Sequence, residues 1–218
     1  MSTNKKRDPE ATRRAILRAA AKLFVDRGFA ATSMTEIARA AHVTKSLIHH
    51  HFGSKEQLWV EVKRKLLAHY AEEQSDVYQA ATPGGETLRK SVETLFEFLR
   101  GNPDFVRLSG WVDLEKKQGL AGMAYPELVS TGLQLVEQEQ AAGNIRADLE
   151  PKHIIAALVS LCSHWFRARR EFDSMYEGDV STWDSSYLDA ICKILECGVQ
   201  GPGPLSAASS TSTARTEA

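Results

Sequence analysis

Apolar residues in this chain recur every three or four positions, and no stretch shows the convincing alternation of apolar and polar residues that a half-buried strand has. The clearest helix follows Asp8 and Pro9, which suit its N-cap and first position. Its apolar stripe consists of Ile16, Ala19, Ala20, Leu23 and Phe24. Gly28 follows, and a glycine at positive φ is a common way to end a helix. The pattern predicts an all-α fold.

Two short helices and a turn are predicted next. The segment SMTE, beginning at Ser33, has the spacing of a capping box. Thr44 is a second N-cap candidate, for a helix that runs to about Phe52. A further capping box, SKEQ, begins at Ser54 and opens a longer fourth helix. Two short helices joined by a tight turn and braced by a helix on each side are typical of a helix-turn-helix unit, here at about residues 33–52.

Further helices are predicted at 86–100, 103–117, 125–142, 151–173 and 183–199, separated by segments rich in glycine or proline. We therefore expect a basic arm (1–8), a helix-turn-helix domain (9–66), a larger helical domain (67–200) and a disordered tail (201–218).

Charge is divided unevenly along the chain. Residues 1–65 hold 14 Lys and Arg against 6 Asp and Glu, a net charge of +8, whereas residues 66–218 hold 13 against 22, a net charge of −9. This division indicates that only the first part meets a polyanion. The polar N-terminus and the lack of a run of about 20 apolar residues favour a cytoplasmic protein without a membrane partner. The three cysteines, an odd number without a CxxC motif, are expected to be helical thiols without a redox role.

The segment TKSLIHHHFGSKEQL raises the question of what three consecutive histidines do. With Ile48 turned towards the core, Thr44 and Phe52 fall within about 40° of it on a helical wheel. The outward side then carries Ser46 and His50, flanked by Leu47 and His49, with Lys45 at the N-terminal edge. The helix is roughly 13 Å long, close to the ~12 Å width of a DNA major groove.

Three other interpretations of the histidines are a metal site, a catalytic cluster and a solvated helix. Helical metal ligands converge at i, i+3 or i+4 spacing, but His49, His50 and His51 point in three directions and no Asp, Glu or Cys of the segment completes a set. Catalysis needs a nucleophile, a base and an orienting group, which are not visible here. A solvated helix with histidines by chance remains possible on this segment alone. No cofactor or metal is expected, and the protein is predicted not to be an enzyme.

The stretch TSMTEIARAAHVTKSLIHHHFGSKEQLWVEV resembles the DNA-binding segment of the tetracycline-repressor (TetR) family of bacterial transcriptional regulators. The matching residues are Thr32, Ser33, Ile37, Ala38, Ala41, Val43, Thr44, Phe52, Lys55, Glu56 and Leu58, with Phe24, Gly28 and Phe29 upstream. The resemblance covers about residues 10–65. His42 stands where the family usually has Gly, and His49 where it usually has an aromatic residue, most often Tyr.

The resemblance implies which residues meet DNA. Base edges would be faced by Lys45, Ser46, Leu47 and His50. Phosphates would be held by Ser33, Thr35, Thr44, His49, His51 and Lys55, helped by the helix N-termini. His49 would be a pH-dependent phosphate donor, and the basic arm at 4–7 would add non-specific contacts.

The larger domain is expected to dimerise and to bind an effector. Residues 154–166 are apolar almost all round, so that helix must be covered on more than one side. In this family late helices pair into a four-helix bundle, which implies a dimer face at Leu158, Leu161, Cys162, Tyr187, Ile191, Ile194 and Leu195. The alternative is that these residues are buried within a monomer. Family members often enclose an effector pocket in the middle helices, which points to Phe96, Leu99, Trp111, Tyr125, His164, Trp165 and Arg169. Residues of these types are more often plain core than pocket, and that alternative stays open.

The resulting hypothesis is a dimeric, ligand-responsive regulator that binds a roughly palindromic operator in double-stranded DNA and is released by an unknown small molecule. Repression is expected from family habit. The alternatives are an activator of the same fold, a helical protein that binds a metal or small molecule without a DNA role, and a plain helical interaction module.

Overall fold

The computed structural model describes residues 8–82, 84, 86–115, 125–175 and 177–199. The order of elements is α1 (Pro9–Arg27), α2 (Met34–Ala40), α3 (Lys45–Phe52), α4 (Lys55–Gln79), α5 (Glu86–Gly101), α6 (Pro103–Glu115), α7 (Pro126–Ala141), α8 (Pro151–Ala168), a 3₁₀ segment (Arg169–Met175) and α9 (Val180–Val199). These residues contain no β-strand, and the predicted all-α fold is confirmed. The arm at 4–7 and the tail at 201–218 lie outside the described residues.

The predicted ends of the first helices are confirmed by their caps. Asp8 accepts the N–H of Glu10, and Gly28 has φ 80° at the end of α1. The capping box at Ser33 is fully formed, and Ser54 exchanges two hydrogen bonds of 3.1 Å with Gln57. These polar side chains satisfy backbone groups that would otherwise lack partners at helix ends.

The later helices differ from prediction in their bounds. The helix expected over 151–173 is α-helical only to Ala168 and continues as a 3₁₀ segment. The last helix begins at Val180, three residues before the expected 183. Within the described residues, none of the helices combines the length and the apolar character needed to cross a bilayer.

The chain forms two compact units. Among the described residues, the N-terminal unit comprises 8–69, 102–115 and Tyr125, and the C-terminal unit comprises the described residues of 70–101 and 126–199. The N-terminal unit is thus larger than the expected 9–66 domain, because α6 belongs to it although it follows α5 in sequence.

The N-terminal unit is built around an aromatic cluster. Trp59 of α4 meets Phe24 edge-on, with ring centroids 5.0 Å apart, and Phe29 at 5.6 Å. Edge-to-face pairs of this kind stabilise a core beyond the area that they bury. Ile37 of α2 and Ile48 of α3 belong to the same core and are fully buried. The two short helices are therefore held by α1 and α4.

Helix α6 fixes the turn between α1 and α2. The indole N–H of Trp111 donates to the carbonyl of Val25 at 3.0 Å, and both carboxylate oxygens of Glu115 accept from the N–H of Ala30 at 3.0 Å. Gly28 lies between these contacts, and a Cβ built on it would be 2.9 Å from the Trp111 ring. The turn therefore requires glycine for its positive φ and for space.

In the C-terminal unit, α5 packs against α8 and α9, and α7 packs against α8. The rings of Trp165 and Tyr187 stack with centroids 4.1 Å apart. Beside them Asp184, only 3% exposed, accepts from the Trp165 indole at 2.7 Å and from Arg169 at 2.6 and 2.7 Å. A buried carboxylate is tolerated when it is paired and hydrogen-bonded in this way. It joins α9 to the C-terminal end of α8.

Candidate nucleic-acid interface

Helix α3 is anchored through one side. Ile48 is completely buried and Phe52 is 5% exposed. These residues are one helical turn apart, so they share a face of the helix. The Arg13 guanidinium lies over the Phe52 ring, 5.1 Å from its centroid, on the same side. The inward orientation expected for Ile48 and Phe52 is confirmed, and the opposite side of α3 faces solvent.

The solvent-facing side of α3, the outward face, carries the residues expected to meet bases. Lys45, Ser46 and His50 are exposed, and Leu47 is partly exposed. The hydroxyl of Thr44 accepts from the Leu47 N–H at 3.3 Å and is hydrogen-bonded to the Ser46 hydroxyl at 3.0 Å. This side of the helix presents one cation, one hydroxyl and one imidazole from a well-capped helix of eight residues. Their contact with bases remains a prediction.

The turn between α2 and α3 places His42 at φ 55°, the one non-glycine residue with positive φ among the described residues. The carbonyl of Ala38 accepts from the Val43 N–H at 3.0 Å, so the backbone closes tightly around His42. The left-handed conformation expected from the family's usual glycine is therefore adopted by histidine, which tolerates it better than a β-branched residue. The imidazole is exposed.

Of the two phosphate contacts expected at the start of α2, Ser33 is already hydrogen-bonded within the chain. The Ser33 N–H and hydroxyl both donate to Glu36, at 2.9 and 2.7 Å. Hydrogen bonds from the Ser33 side chain and backbone lower the pKa of Glu36, and Arg27 acts in the same direction. A phosphate would have to displace this carboxylate to reach Ser33, whereas the neighbouring Thr35 is exposed.

The other expected phosphate ligands differ in availability. His49 is exposed, but its Nδ1 is 2.7 Å from the carbonyl of Gly53. A carbonyl only accepts, so Nδ1 carries the proton, and Nε2 of the neutral ring is then an acceptor. Only the doubly protonated ring can donate to a phosphate while keeping this bond. His51 is partly exposed, and the Lys55 ammonium lies 4.2 Å from the Phe29 ring centroid.

The three histidines of α3 are the candidate metal ligands of this segment. Among the described residues, no three His, Cys, Asp or Glu side chains gather closely enough to hold an ion. The rings of His50 and His51 are 5.6 Å apart and tilted by 71°. The geometry of the segment gives the zinc interpretation no support.

The residues expected to line an effector pocket are divided between the two units. Trp111 and Tyr125 belong to the N-terminal unit, where Tyr125 donates to the carbonyl of Arg64 at 3.0 Å. In the C-terminal unit, Phe96 and Leu99 of α5 are buried, and so is Trp165. His164 is exposed, and the Arg169 guanidinium is paired with Asp184. These last two residues are therefore poorly placed to fix the polar end of a ligand.

The expected dimer face also needs revision. Leu158, Cys162, Ile191 and Leu195 are buried within their own chain, Leu161 and Tyr187 are partly exposed, and Ile194 is 64% exposed. Buried side chains cannot line a face between subunits directly. The neighbouring exposed residues, Ala156, Val159 and Ser160 on α8 and Ala190 on α9, lie where a partner could reach them.

One polar residue in the C-terminal core was missed by the sequence reasoning. Gln74 is 1% exposed and lies on the inward side of α4, one turn from Tyr70 and one turn from Tyr78. The signal was available, because positions 70, 74 and 78 continue one helical stripe. A glutamine on an otherwise apolar or aromatic stripe is a reason to expect a buried polar contact.

Comparison with known proteins agrees with this architecture. The family model "Bacterial regulatory proteins, tetR family" matches residues 16–62, and "Tetracyclin repressor-like, C-terminal domain" matches residues 88–184. The transcriptional repressor NicS of Pseudomonas putida is 26% identical over 176 residues, which cover 78% of this chain and 82% of NicS. The transcriptional activator FasR of Mycolicibacterium smegmatis is 27% identical over 170 residues, 76% of this chain and 78% of FasR.

A solved structure shows the same fold. The crystal structure of a TetR-family transcription regulator from Marinobacter aquaeolei superposes with a TM-score of 0.66 at 18% identity, covering 88% of this chain and 97% of that one. The helix-turn-helix geometry at residues 33–52, the helical C-terminal unit and the two matching family models lead to the same conclusion. The chain belongs to the TetR family and is a ligand-responsive, DNA-binding transcriptional regulator.

Proposed function

We propose that this regulator binds a two-fold symmetric operator as a homodimer, with α3 of each subunit in a major groove. The observation that carries this proposal is the division of α3 into two sides. Ile48 and Phe52 are buried, while Lys45, Ser46 and His50 are exposed on the opposite side. A helix held through one side by its own core can enter a groove with the other side without losing its packing.

Within the groove the outward face supplies different kinds of contact. Lys45 reaches guanine O6 or N7, and Leu47 contacts a thymine methyl group. Ser46 and His50 donate to or accept from base edges. Thr35, Thr44 and Lys55 hold phosphates, which position the helix but carry no sequence information. His49 also holds a phosphate, but only when both ring nitrogens carry protons, because Nδ1 already donates to the Gly53 carbonyl and Nε2 must then donate to the phosphate.

Dimerisation uses the exposed sides of α8 and α9. Val159 is 44% exposed and Ile194 is 64% exposed, and both are large apolar residues on the surface of the isolated chain. The small residues Ala156, Ser160 and Ala190 beside them would let helices of a second copy approach closely. Two α3 helices related by a two-fold axis read half-sites about 34 Å apart or a multiple of this distance.

A small molecule bound in the C-terminal unit regulates DNA binding by favouring a dimer whose α3 helices no longer match the operator. Repression relieved by this ligand is the primary proposal, and NicS is a repressor among the relatives. The relative FasR, an activator, supports activation as the second candidate. Acting on the chromosome, the protein would work in the cytoplasm.

The test begins with selection of duplexes from a random pool by the full-length protein, followed by fluorescence anisotropy of the selected duplex. The logarithm of the association constant should fall linearly with the logarithm of the salt concentration, with a slope of about −0.9 per neutralised phosphate. Lys45→Ala should relax base preference at one position of each half-site, at about 1–3 kcal/mol. Lys55→Ala should weaken all sequences similarly and reduce the salt slope by about one per subunit.

Lys90→Ala is the matched control, because Lys90 is an exposed lysine of the C-terminal unit paired with Glu86 at 2.8 Å. It should leave both base preference and salt slope unchanged. The proposal fails if no duplex is selected at low ionic strength. The contact assignment fails if the Lys45 and Lys55 variants bind like the parent.

A further inference from the structure

The core of the C-terminal unit contains a buried amide that is only half satisfied. The Nε2 of Gln74 donates to the hydroxyl of Ser91 on α5 at 2.8 Å. Its Oε1 is buried and has no hydrogen-bond partner in the described part of the chain. Nearly all buried polar atoms in folded proteins are hydrogen-bonded, because the free energy lost on desolvation of an unpaired atom is not offset by a new hydrogen bond. An unpaired oxygen at this position therefore calls for a functional reason.

The groups around Gln74 form a cluster of low polarity. Burial raises the pKa of Tyr70, one turn before Gln74, and burial also raises the pKa of the Cys162 thiol to about 12. Burial raises the pKa of Tyr78, one turn after, while a hydrogen bond that the Gln74 amide N–H donates to the Tyr78 hydroxyl lowers it. Such shifts arise where charged forms are poorly solvated. The cluster accommodates neutral polar groups and disfavours ions.

Apolar and aromatic surfaces enclose the same place. The ring of Tyr70 packs on Phe98 with centroids 5.1 Å apart. The Tyr78 hydroxyl lies against Gly132 of α7, so close that a Cβ there would be 2.7 Å from it. Tyr78 is partly exposed, whereas Gln74 is buried. The unpaired acceptor on α4 thus lies in a cluster that Ser91 of α5 contacts directly, and that Phe98 of α5 and Gly132 of α7 border through the two tyrosines.

We propose that Gln74 Oε1 receives a hydrogen bond from the effector, and that the effector is an uncharged, mainly apolar molecule with a hydroxyl or N–H donor. This inference rests on the proposed function, because it names the ligand class of the effector site. The donor follows from the chemistry of a carbonyl oxygen, which only accepts. Neutrality follows from the low polarity of the cluster, and apolar character follows from the rings around it.

A separate prediction concerns the Tm of the ligand-free protein. Replacing Gln74 by leucine removes the unpaired buried oxygen but also the bond to Ser91, so the two effects offset each other and Gln74→Leu should change the Tm of the free protein less than the control does. Gln140 is the matched control, because its Nε2 donates to the carbonyls of Arg146 and Leu149 at 2.9 and 2.7 Å. Gln140→Leu should lower the Tm, since two satisfied bonds are lost, and should leave ligand binding unchanged.

Binding is tested on the full-length protein without DNA, using 4-ethylphenol, 4-ethylanisole and 4-ethylbenzoate in ligand-observed NMR and thermal-shift titrations. The phenol donates, the anisole only accepts, and the benzoate is an anion. The phenol should bind about five- to tenfold more tightly than the anisole, as one neutral hydrogen bond predicts, and the benzoate should bind more weakly still. Gln74→Leu should abolish the preference for the phenol.

Equal binding of phenol and anisole by the parent protein would overturn the proposal, and so would absence of phenol binding. A phenol preference that survives in Gln74→Leu would overturn it too. The comparison of the three probes on the parent does not depend on how any variant folds. Operator selection is measured separately, so failure of DNA binding and failure of this ligand assignment are distinguished.

Discussion

Replacing Gly28 by alanine should destabilise the N-terminal unit by about 2–6 kcal/mol. Gly28 has φ 80° and ψ 179°, a backbone conformation that costs about 1–3 kcal/mol for a residue with a side chain. The new Cβ would also lie 2.9 Å from two ring atoms of Trp111 and 2.4 Å from Glu115 Oε1. The carboxylate can rotate away only by giving up its bonds to Ala30, and overpacking of a ring adds about 1–3 kcal/mol.

The matched control is Gly110→Ala, in the helix that supplies Trp111 and Glu115. A Cβ at Gly110 meets nothing within 4 Å, and alanine is favoured over glycine inside a helix. This variant should be more stable than the parent by about 0.5–1 kcal/mol. Urea unfolding followed by tryptophan fluorescence and circular dichroism measures both changes. If Gly28→Ala lowered the free energy of unfolding by less than about 1 kcal/mol, the proposed crowding of Gly28 by Trp111 and Glu115 would be refuted. Equal changes for Gly28→Ala and Gly110→Ala would refute it more directly.

Three further predictions concern single side chains. Asp184→Ala should lower the free energy of unfolding, measured by urea titration, by about 2–4 kcal/mol, because it leaves Arg169 without its partner. Adding Arg169→Met should recover part of this loss, and no recovery would argue against the ion pair. Burial raises the pKa of Cys162 from 9.0 to about 12, so at pH 8 a thiol reagent should label exposed Cys197 and spare Cys162. The contribution of the neutral Cys162 thiol to the free energy of unfolding is fully present below pH 9 and is lost as the pH rises towards 12. A rise in the free energy of unfolding over that range would contradict this prediction. His42→Gly should raise stability by about 0.5–1 kcal/mol in thermal unfolding, because glycine adopts φ 55° without strain; a fall in Tm would contradict it.

The starts of the first helices were predictable because their signals are local. A cap such as Asp8 or Thr44 lies within three residues of the N–H groups that it satisfies, so sequence spacing alone identifies it. The inward orientation of Ile48 followed from helical geometry in the same way. The fold class and the exposed side of α3 therefore followed from short-range patterns.

What the sequence did not reveal depends on contacts between distant segments. The membership of α6 in the N-terminal unit rests on bonds such as Glu115 to Ala30, which join residues 85 positions apart. On α8 and α9 the apolar residues occupy more than one side, so periodicity could not tell which side the chain itself covers. Leu158 and Ile191 are buried internally for this reason, whereas Ile194 remains exposed. The position of Gln74 on the stripe of Tyr70 and Tyr78 could have been noticed, but the missing partner of its Oε1 could not be read from spacing.

The two ends of α3 are closed by the chain itself. Thr44 accepts the Leu47 N–H at the start, and at the end the Gly53 N–H donates to the carbonyl of His49 at 2.8 Å while His49 donates to the carbonyl of Gly53. Eight residues are too few to hold a helix in isolation, so these bonds and the buried Ile48 keep α3 preorganised. Its arrival at a duplex then requires no coil-to-helix transition. The heat-capacity change of association should reflect buried surface alone, without the excess that accompanies coupled folding.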